Sequence, residues 1–95
     1  SINAGGGNDT IILAADTTLD ANDVIDGGAD NDTLNLDNHD LTDAADANIA
    51  NIETITLGND GVSVNLSHQS EGFTITGGTG DDTITAGSGN DTITA

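Results

Sequence analysis

Nine-residue self-similarity constrains this chain more than any other feature. GGTGDDTIT at 77–85 is followed without a gap by AGSGNDTIT at 86–94. The same pattern stands as AGGGNDTII at 4–12 and as GGADNDTLN at 27–35, where Asp30 takes the place of the second-half glycine. A repeat this short cannot bury a hydrophobic face alone. It folds by stacking copy on copy, so the chain reads as a solenoid. Each copy opens with glycines, which suit a turn, and closes with an aliphatic residue beside Thr, which suits a short strand.

The period persists where the glycines do not. Counting back in nines from Ile93 meets Ile84, Ile75, Leu66 and Leu57, while Ile55, Val64 and Phe73 hold the place later taken by Asp82 and Asp91. This predicts one inward row through 52–95, with a strand in every half coil. Ile25 and Leu34 are again nine apart, but Ile11 and Ile25 are fourteen apart, which implies an insertion of about five residues within a coil. Residues 37–51, DNHDLTDAADANIAN, look different. Leu41, Ala44, Ala45, Asn48, Ile49 and Ile52 follow a three-and-four spacing, which predicts a short helix near 41–50 or a wide polar excursion. The expected organisation is N-terminal coils over 1–36, an insertion over 37–51 and a solenoid over 52–95.

Charge sets the next limit. The 95 residues include 17 Asp and Glu but no Lys or Arg, so no side-chain salt bridge with either is available and the carboxylates repel one another. Positive charge has to come from outside. A nucleic acid or an anionic membrane surface would be repelled, and no stretch approaches the roughly 18–20 apolar residues of a membrane-spanning helix. The N-terminus lacks the basic and apolar regions of a signal peptide, and the absence of Cys rules out a disulfide staple. One aromatic residue, Phe73, and 13 Gly at this charge resemble a disordered composition. Against that, apolar residues make up 34% of the chain and cluster with Thr as strands do. The expectation is a chain whose folding is decided by metal.

In the GGxGxD part of the repeat, glycines allow positive φ and close backbone approach, so carbonyl oxygens can converge on one spot, and the aspartate adds charge. Such hard oxygen ligands at flexible distances suit Ca2+, whereas Mg2+ demands a tight octahedron and zinc prefers His or Cys. His39 and His68 lie in unrelated contexts, beside Asp40 and Ser67, and read as solvated loop residues. Nothing near them resembles an activated nucleophile, paired glutamates or an oxyanion stabiliser, so no enzyme is expected within these residues.

These nonapeptides resemble the RTX repeat, GGxGxDxUx, of proteins exported by type I systems of Gram-negative bacteria. The resemblance implies an all-β fold, a right-handed parallel β-roll with two nonapeptides per coil and Ca2+ between turns stacked on the same side. Carried over residue by residue, it implies Asp9, Asp32, Asp82 and Asp91 as carboxylate ligands, with Gly6, Gly78, Gly80, Gly87 and Gly89 among the carbonyl donors. Asn8, Asn31, Asp81 and Asn90 read as turn formers. The order of repeat, DTLNL, ANIANIETITL and fresh repeats is similar to regions of bacterial S-layer proteins and giant surface adhesins.

A coil of two nonapeptides places same-side partners eighteen residues apart, so 59–64 faces the loop at 77, and 68–73 faces the loop at 86. Neither partner carries aspartate at the sixth place, which makes the two strictest loops half-sites. Their other halves are expected from further repeats or from self-association. The resulting expectation is a non-catalytic, calcium-dependent structural module of a secreted or cell-surface assembly such as an S-layer, adhesin or filament. The alternative is the secretion domain of a type I-exported enzyme or toxin. A polysaccharide-binding surface is disfavoured by the single aromatic residue.

Overall fold

Runs that alternate Thr with an aliphatic residue form strands, because β-branched side chains sit well on a pleat and every second residue points the same way. The structure, a computed structural model, describes residues 1–13, 24–37, 41 and 49–94. Ten short strands run through them: β1 (Ile2–Asn3), β2 (Thr10–Ile12), β3 (Ile25–Asp26), β4 (Thr33–Asp37), β5 (Ile49–Ala50), β6 (Thr54–Leu57), β7 (Ser63–Asn65), β8 (Thr74–Thr76), β9 (Thr83–Thr85) and β10 (Thr92–Thr94). Every pairing is parallel.

The strands stack as a β-solenoid. One face is a continuous sheet in the order β10-β8-β6-β4-β2, so the chain makes four turns between β2 and β10. The opposite face holds β1-β3-β5 and β7-β9, with Leu41 bridged to Val64 beside β7. Register on the first face aligns Ile11, Leu34, Ile55, Ile75 and Ile93. On the second it aligns Ile2, Ile25 and Ile49, and separately Leu41, Val64 and Ile84. Between the faces lies an apolar core that includes Leu34, Leu36, Ile55, Leu66, Phe73 and Ile75. The outward Thr residues of β8 and β10 are exposed.

Coil length is not constant. Successive first-face residues, Ile11 to Leu34 to Ile55 to Ile75 to Ile93, are 23, 21, 20 and 18 residues apart, so only the last turn has the two-nonapeptide length. The first turn's surplus of five falls between Ile11 and Ile25, a stretch of which 14–23 lie outside the described residues. A later surplus of two falls at the turn Leu66–Gln69, closed by Gln69 N donating to the Leu66 carbonyl at 2.9 Å, with His68 exposed.

That turn corrects the expected inward row. Ile55 and Val64 do not hold the place of Asp82 and Asp91; they align with Ile75 and Ile84. Leu57 and Leu66 are buried as well, because each sits two residues further along the same strand run. A run with inward residues at i and i+2 fits the nine-residue count in either frame, and the two-residue turn selects the other one. Phe73 does hold the aspartate place, as its contact with Asp91 shows.

The described ends of the helix expected near 41–50 are extended instead. Leu41 N donates to the Ser63 carbonyl at 2.9 Å and Asn65 N to the Leu41 carbonyl at 2.7 Å, while Ile49–Ala50 forms β5 on β3. There is no helix among the described residues; 42–48, and His39 before them, lie outside these.

Because Ile55 is fully buried at mid-core, Ile55→Ala is expected to cost about 2–5 kcal/mol, measured by urea unfolding in excess calcium. Ile93→Ala, at a side chain 46% exposed, is expected to cost less than about 1 kcal/mol in the same assay.

Candidate metal centre

Loops on one side of the solenoid form a column. The segments 4–9, 27–32, 50–53, 68–73 and 86–91 lead into β2, β4, β6, β8 and β10, and a second column, 58–62 and 77–82, leads into β7 and β9. Strand alternation decides what faces inward at the end of each loop. The residue two before the central aliphatic shares its face, which selects Asp9, Asp32, Glu53, Phe73 and Asp91 in the first column and Val62 and Asp82 in the second.

A two-bond clamp recurs at that place. Asp9 N donates to Asp32 Oδ1 at 2.8 Å, while Thr33 N donates to the Asp9 carbonyl at 2.9 Å. Asp32 N donates to Glu53 Oε2 at 2.8 Å and Thr54 N to the Asp32 carbonyl at 3.0 Å. Val62 N and Phe73 N donate to Asp82 Oδ1 at 3.0 Å and Asp91 Oδ1 at 2.9 Å, and Thr83 N and Thr92 N return to the Val62 and Phe73 carbonyls. The Asp-Thr pair of the repeat is thus read by the coil before it, once through the side chain and once through the backbone. A hydrogen bond to a charged group contributes about 1.5–3 kcal/mol.

One oxygen of Asp32 is therefore engaged, and the other is not. Asp32 is fully buried, and its Oδ2 and the Oδ2 of Asp9 are both buried without a hydrogen-bond partner. A buried ionised oxygen is costly unless a partner or a metal meets it. With neither Lys nor Arg in the sequence, a bound metal ion is the chemistry that fits.

The loops of successive coils approach each other closely. In the first column Gly28 packs directly on the coil before it, where a Cβ would collide with the Gly5 carbonyl, and its φ is +102°. The fourth place of every repeat loop has positive φ: Gly7 at 99°, Gly80 at 100°, Gly89 at 96° and Asp30 at 80°. Asp30 bears that conformation without being glycine, and its Oδ2 accepts Gly7 N at 3.2 Å across the coils. Among the described residues no three His, Cys, Asp or Glu side chains converge, so backbone carbonyls must complete any donor set here.

The expected site residues fall into three groups. Asp9 and Asp32 come together on adjacent coils, with Gly6 beside them in an exposed bridge to Ala29. Asp82, Gly78 and Gly80 belong to the loop stacked on 58–62, where a Cβ on Gly78 would meet the Gly58 carbonyl. Asp91, Gly87 and Gly89 belong to the loop stacked on 69–73, against the carbonyls of Gln69, Ser70 and Glu71. The segment 68–73 faces the loop at 86 as expected, with Phe73 opposite Asp91, whereas the expected 59–64 is out by two residues, because coils twenty residues apart put Val62 and not Val64 opposite Asp82. Asn8 spends its Oδ1 on Asn31 N of the next coil at 3.0 Å.

Sequence reasoning missed Glu53 and noted Asp30 only as the residue that replaces a glycine. Glu53 was findable, since it precedes Ile55 by two residues as Asp32 precedes Leu34, and Thr follows both.

Residues 1–17, 17–38 and 74–95 match the family described as the RTX calcium-binding nonapeptide repeat, in four copies. No curated protein and no solved structure matches the chain. The match spans more than half of the sequence, so the chain belongs to this family, and Ca2+ is the ion its loops take.

Gly28→Ala is expected to destabilise the fold, by about 1–3 kcal/mol from its φ alone and further from the collision with Gly5. The readout is a lower urea midpoint in saturating calcium. Gly6→Ala meets nothing within 4 Å and is expected to shift stability by less than about 0.5 kcal/mol.

Proposed function

We propose that this RTX chain is a non-catalytic structural module of a secreted bacterial surface assembly, an S-layer, adhesin or filament, that folds and self-associates when it binds calcium. The observation that carries this reading is the pair of buried, unpartnered oxygens on Asp9 and Asp32 in a chain without Lys or Arg. Asp9, Asp32, Asp82 and Asp91 act as carboxylate ligands, and Gly6, Gly78, Gly80, Gly87 and Gly89 supply carbonyls. Export takes the chain from low to high calcium as a disordered polyanion, and the ion then closes the coils.

The magnitudes support a switch. A site held at a hundred times its dissociation constant stabilises the folded form by about 2.7 kcal/mol. Small domains are stable by about 5–15 kcal/mol in all, so two or three such sites decide whether a chain of this size folds. The loops at 77–82 and 86–91 each face a partner with Val62 or Phe73 in the aspartate place. Further carboxylates from more repeats or a second molecule would complete them, which is the basis for self-association. The alternative, a secretion domain attached to an enzyme or toxin, shares the calcium chemistry and is separated from this one by flanking catalytic sequence.

Circular dichroism through a calcium titration, with size measured in calcium and then in chelator, tests the proposal. The expected outcome is strand signal that appears cooperatively with Ca2+ and a larger species at saturation. Full strand signal in chelator would overturn the switch, and a monomer in both conditions would overturn the self-association.

A further inference from the structure

The middle coil lacks the nonapeptide, yet it turns oxygen atoms toward the repeat loop before it. Its corner runs only six residues from Ile49 to Ile55, against nine from Ile25 to Leu34 in the coil before. A shorter corner leaves less backbone to carry a carboxylate up to the neighbouring coil. Glutamate supplies one more methylene of reach, and Glu53 Oε2 meets Asp32 N at the same 2.8 Å that Asp32 Oδ1 keeps from Asp9 N.

The unpartnered oxygen of Asp32 faces this corner. A Cβ built on Gly27 would collide with the Asn51 carbonyl oxygen and stand 2.5 Å from Asp32 Oδ2. A carboxylate oxygen and a carbonyl oxygen from successive coils thus converge beside a residue that has no side chain. Two such oxygens turned on one point repel each other, and Asp32 is fully buried with no protein donor for Oδ2. Asn51 is held in place by its own contacts: φ is +53°, and its Nδ2 donates to Asp26 Oδ1 at 2.7 Å.

We propose that a calcium ion binds between the coil of β3–β4 and the coil of β5–β6. Its ligands are Asp32 Oδ2, the Asn51 carbonyl and the Glu53 oxygen that the Asp32 amide leaves unused. A segment outside the matched repeats, which end at 38 and resume at 74, thereby completes a site with a repeat loop. The donors are two carboxylates and a carbonyl, hard oxygens on chain segments of unequal length, which suits the flexible shell of Ca2+ better than the octahedron of Mg2+. The site ties the middle coil to the N-terminal repeats by an ion as well as by β4–β6 pairing, so this coil orders with metal. The inference rests on the calcium-binding reading above and extends it to residues that the repeat does not predict.

Isothermal titration of the full chain with Ca2+ alone tests it, comparing the unaltered protein, Glu53→Gln and Asp37→Asn. Glutamine retains an oxygen for the Asp32 amide, so Glu53→Gln is expected to keep the strand signal in saturating calcium. It should lose one ion from the count, or bind one ion at least about tenfold more weakly, since ligand charge count tunes affinity. Asp37 is an exposed residue outside the site, and its variant is expected to match the unaltered protein. An unchanged count with unchanged affinities in a folded Glu53→Gln overturns the inference and leaves the calcium-binding reading standing. No calcium uptake by the unaltered protein sinks both. Should Glu53→Gln fail to fold, Glu53→Asp carries the test. It keeps the charge but withdraws the oxygen by a methylene, beyond the roughly 2.3–2.6 Å coordination range, so unaltered binding there overturns the inference equally.

Discussion

Carboxylates stacked coil upon coil are the constraint on which the rest of this solenoid depends. Neighbouring rungs lie about 4.8 Å apart, a separation at which two such charges repel by roughly 3–4 kcal/mol at an effective dielectric of 20. The hydrogen bond that Asp32 and Glu53 each accept from an amide of the previous coil returns about 1.5–3 kcal/mol, less than one such repulsion. Hydrogen bonding therefore sets the position of Asp32 and Glu53 without neutralising them. The second oxygen of Asp32 is left buried and unmet, and no Lys or Arg exists to approach it. The protein has built the frame of the site and left its charge balance to a solute.

That division explains why strand register is conserved along the solenoid while loop length is not. Where it occurs, the clamp fixes the residue two before the central aliphatic and the Thr after it, which sets the register of β4 on β2, β6 on β4, β9 on β7 and β10 on β8. What lies between clamps is free to drift, and coil length falls from 23 to 18 residues while Ile11, Leu34, Ile55, Ile75 and Ile93 stay aligned. The inward place itself tolerates two chemistries. A carboxylate there accepts an amide and faces metal, whereas Val62 and Phe73 fill the core and still donate their amides to Asp82 and Asp91.

Much of this was legible in the residues. The nonapeptides gave the parallel solenoid, the loops and the segment that 86–91 stacks upon. The frame of 52–66 was not, because ETITL and GVSVNL each offer inward aliphatic residues at i and i+2, and a count of nines fits either choice. Only the two-residue turn after Leu66 decides between them, and Ser-His reads as ordinary loop. Leu41 and Ile49 were misleading for a related reason. Apolar residues three or four apart resemble a helix face, but here each is an isolated inward residue of a separate extended piece. Glu53 was not legible from the glycines, which mark the turn, because it belongs to the acid-Thr pair, which marks the clamp.

The acid-Thr pair is also the more durable feature. Glycines are needed where backbones approach closely or φ is positive, and Asp30 shows that even the fourth place can do without one when its side chain bonds the neighbouring coil. Where the acid is missing, as at Phe73, only the backbone half of the clamp remains, Thr74 N donating to the Glu53 carbonyl at 2.9 Å. A coil can lose its metal turn and keep its place, as Glu53–Thr54 does on a corner three residues shorter than its neighbour. Repeat matching follows the glycines and stops at 38, but the first-face sheet runs on through β6 without a break. The physical repeat is thus longer than the sequence repeat, and the coil after the first matched block is clamped to it as that block's own coils are clamped to each other.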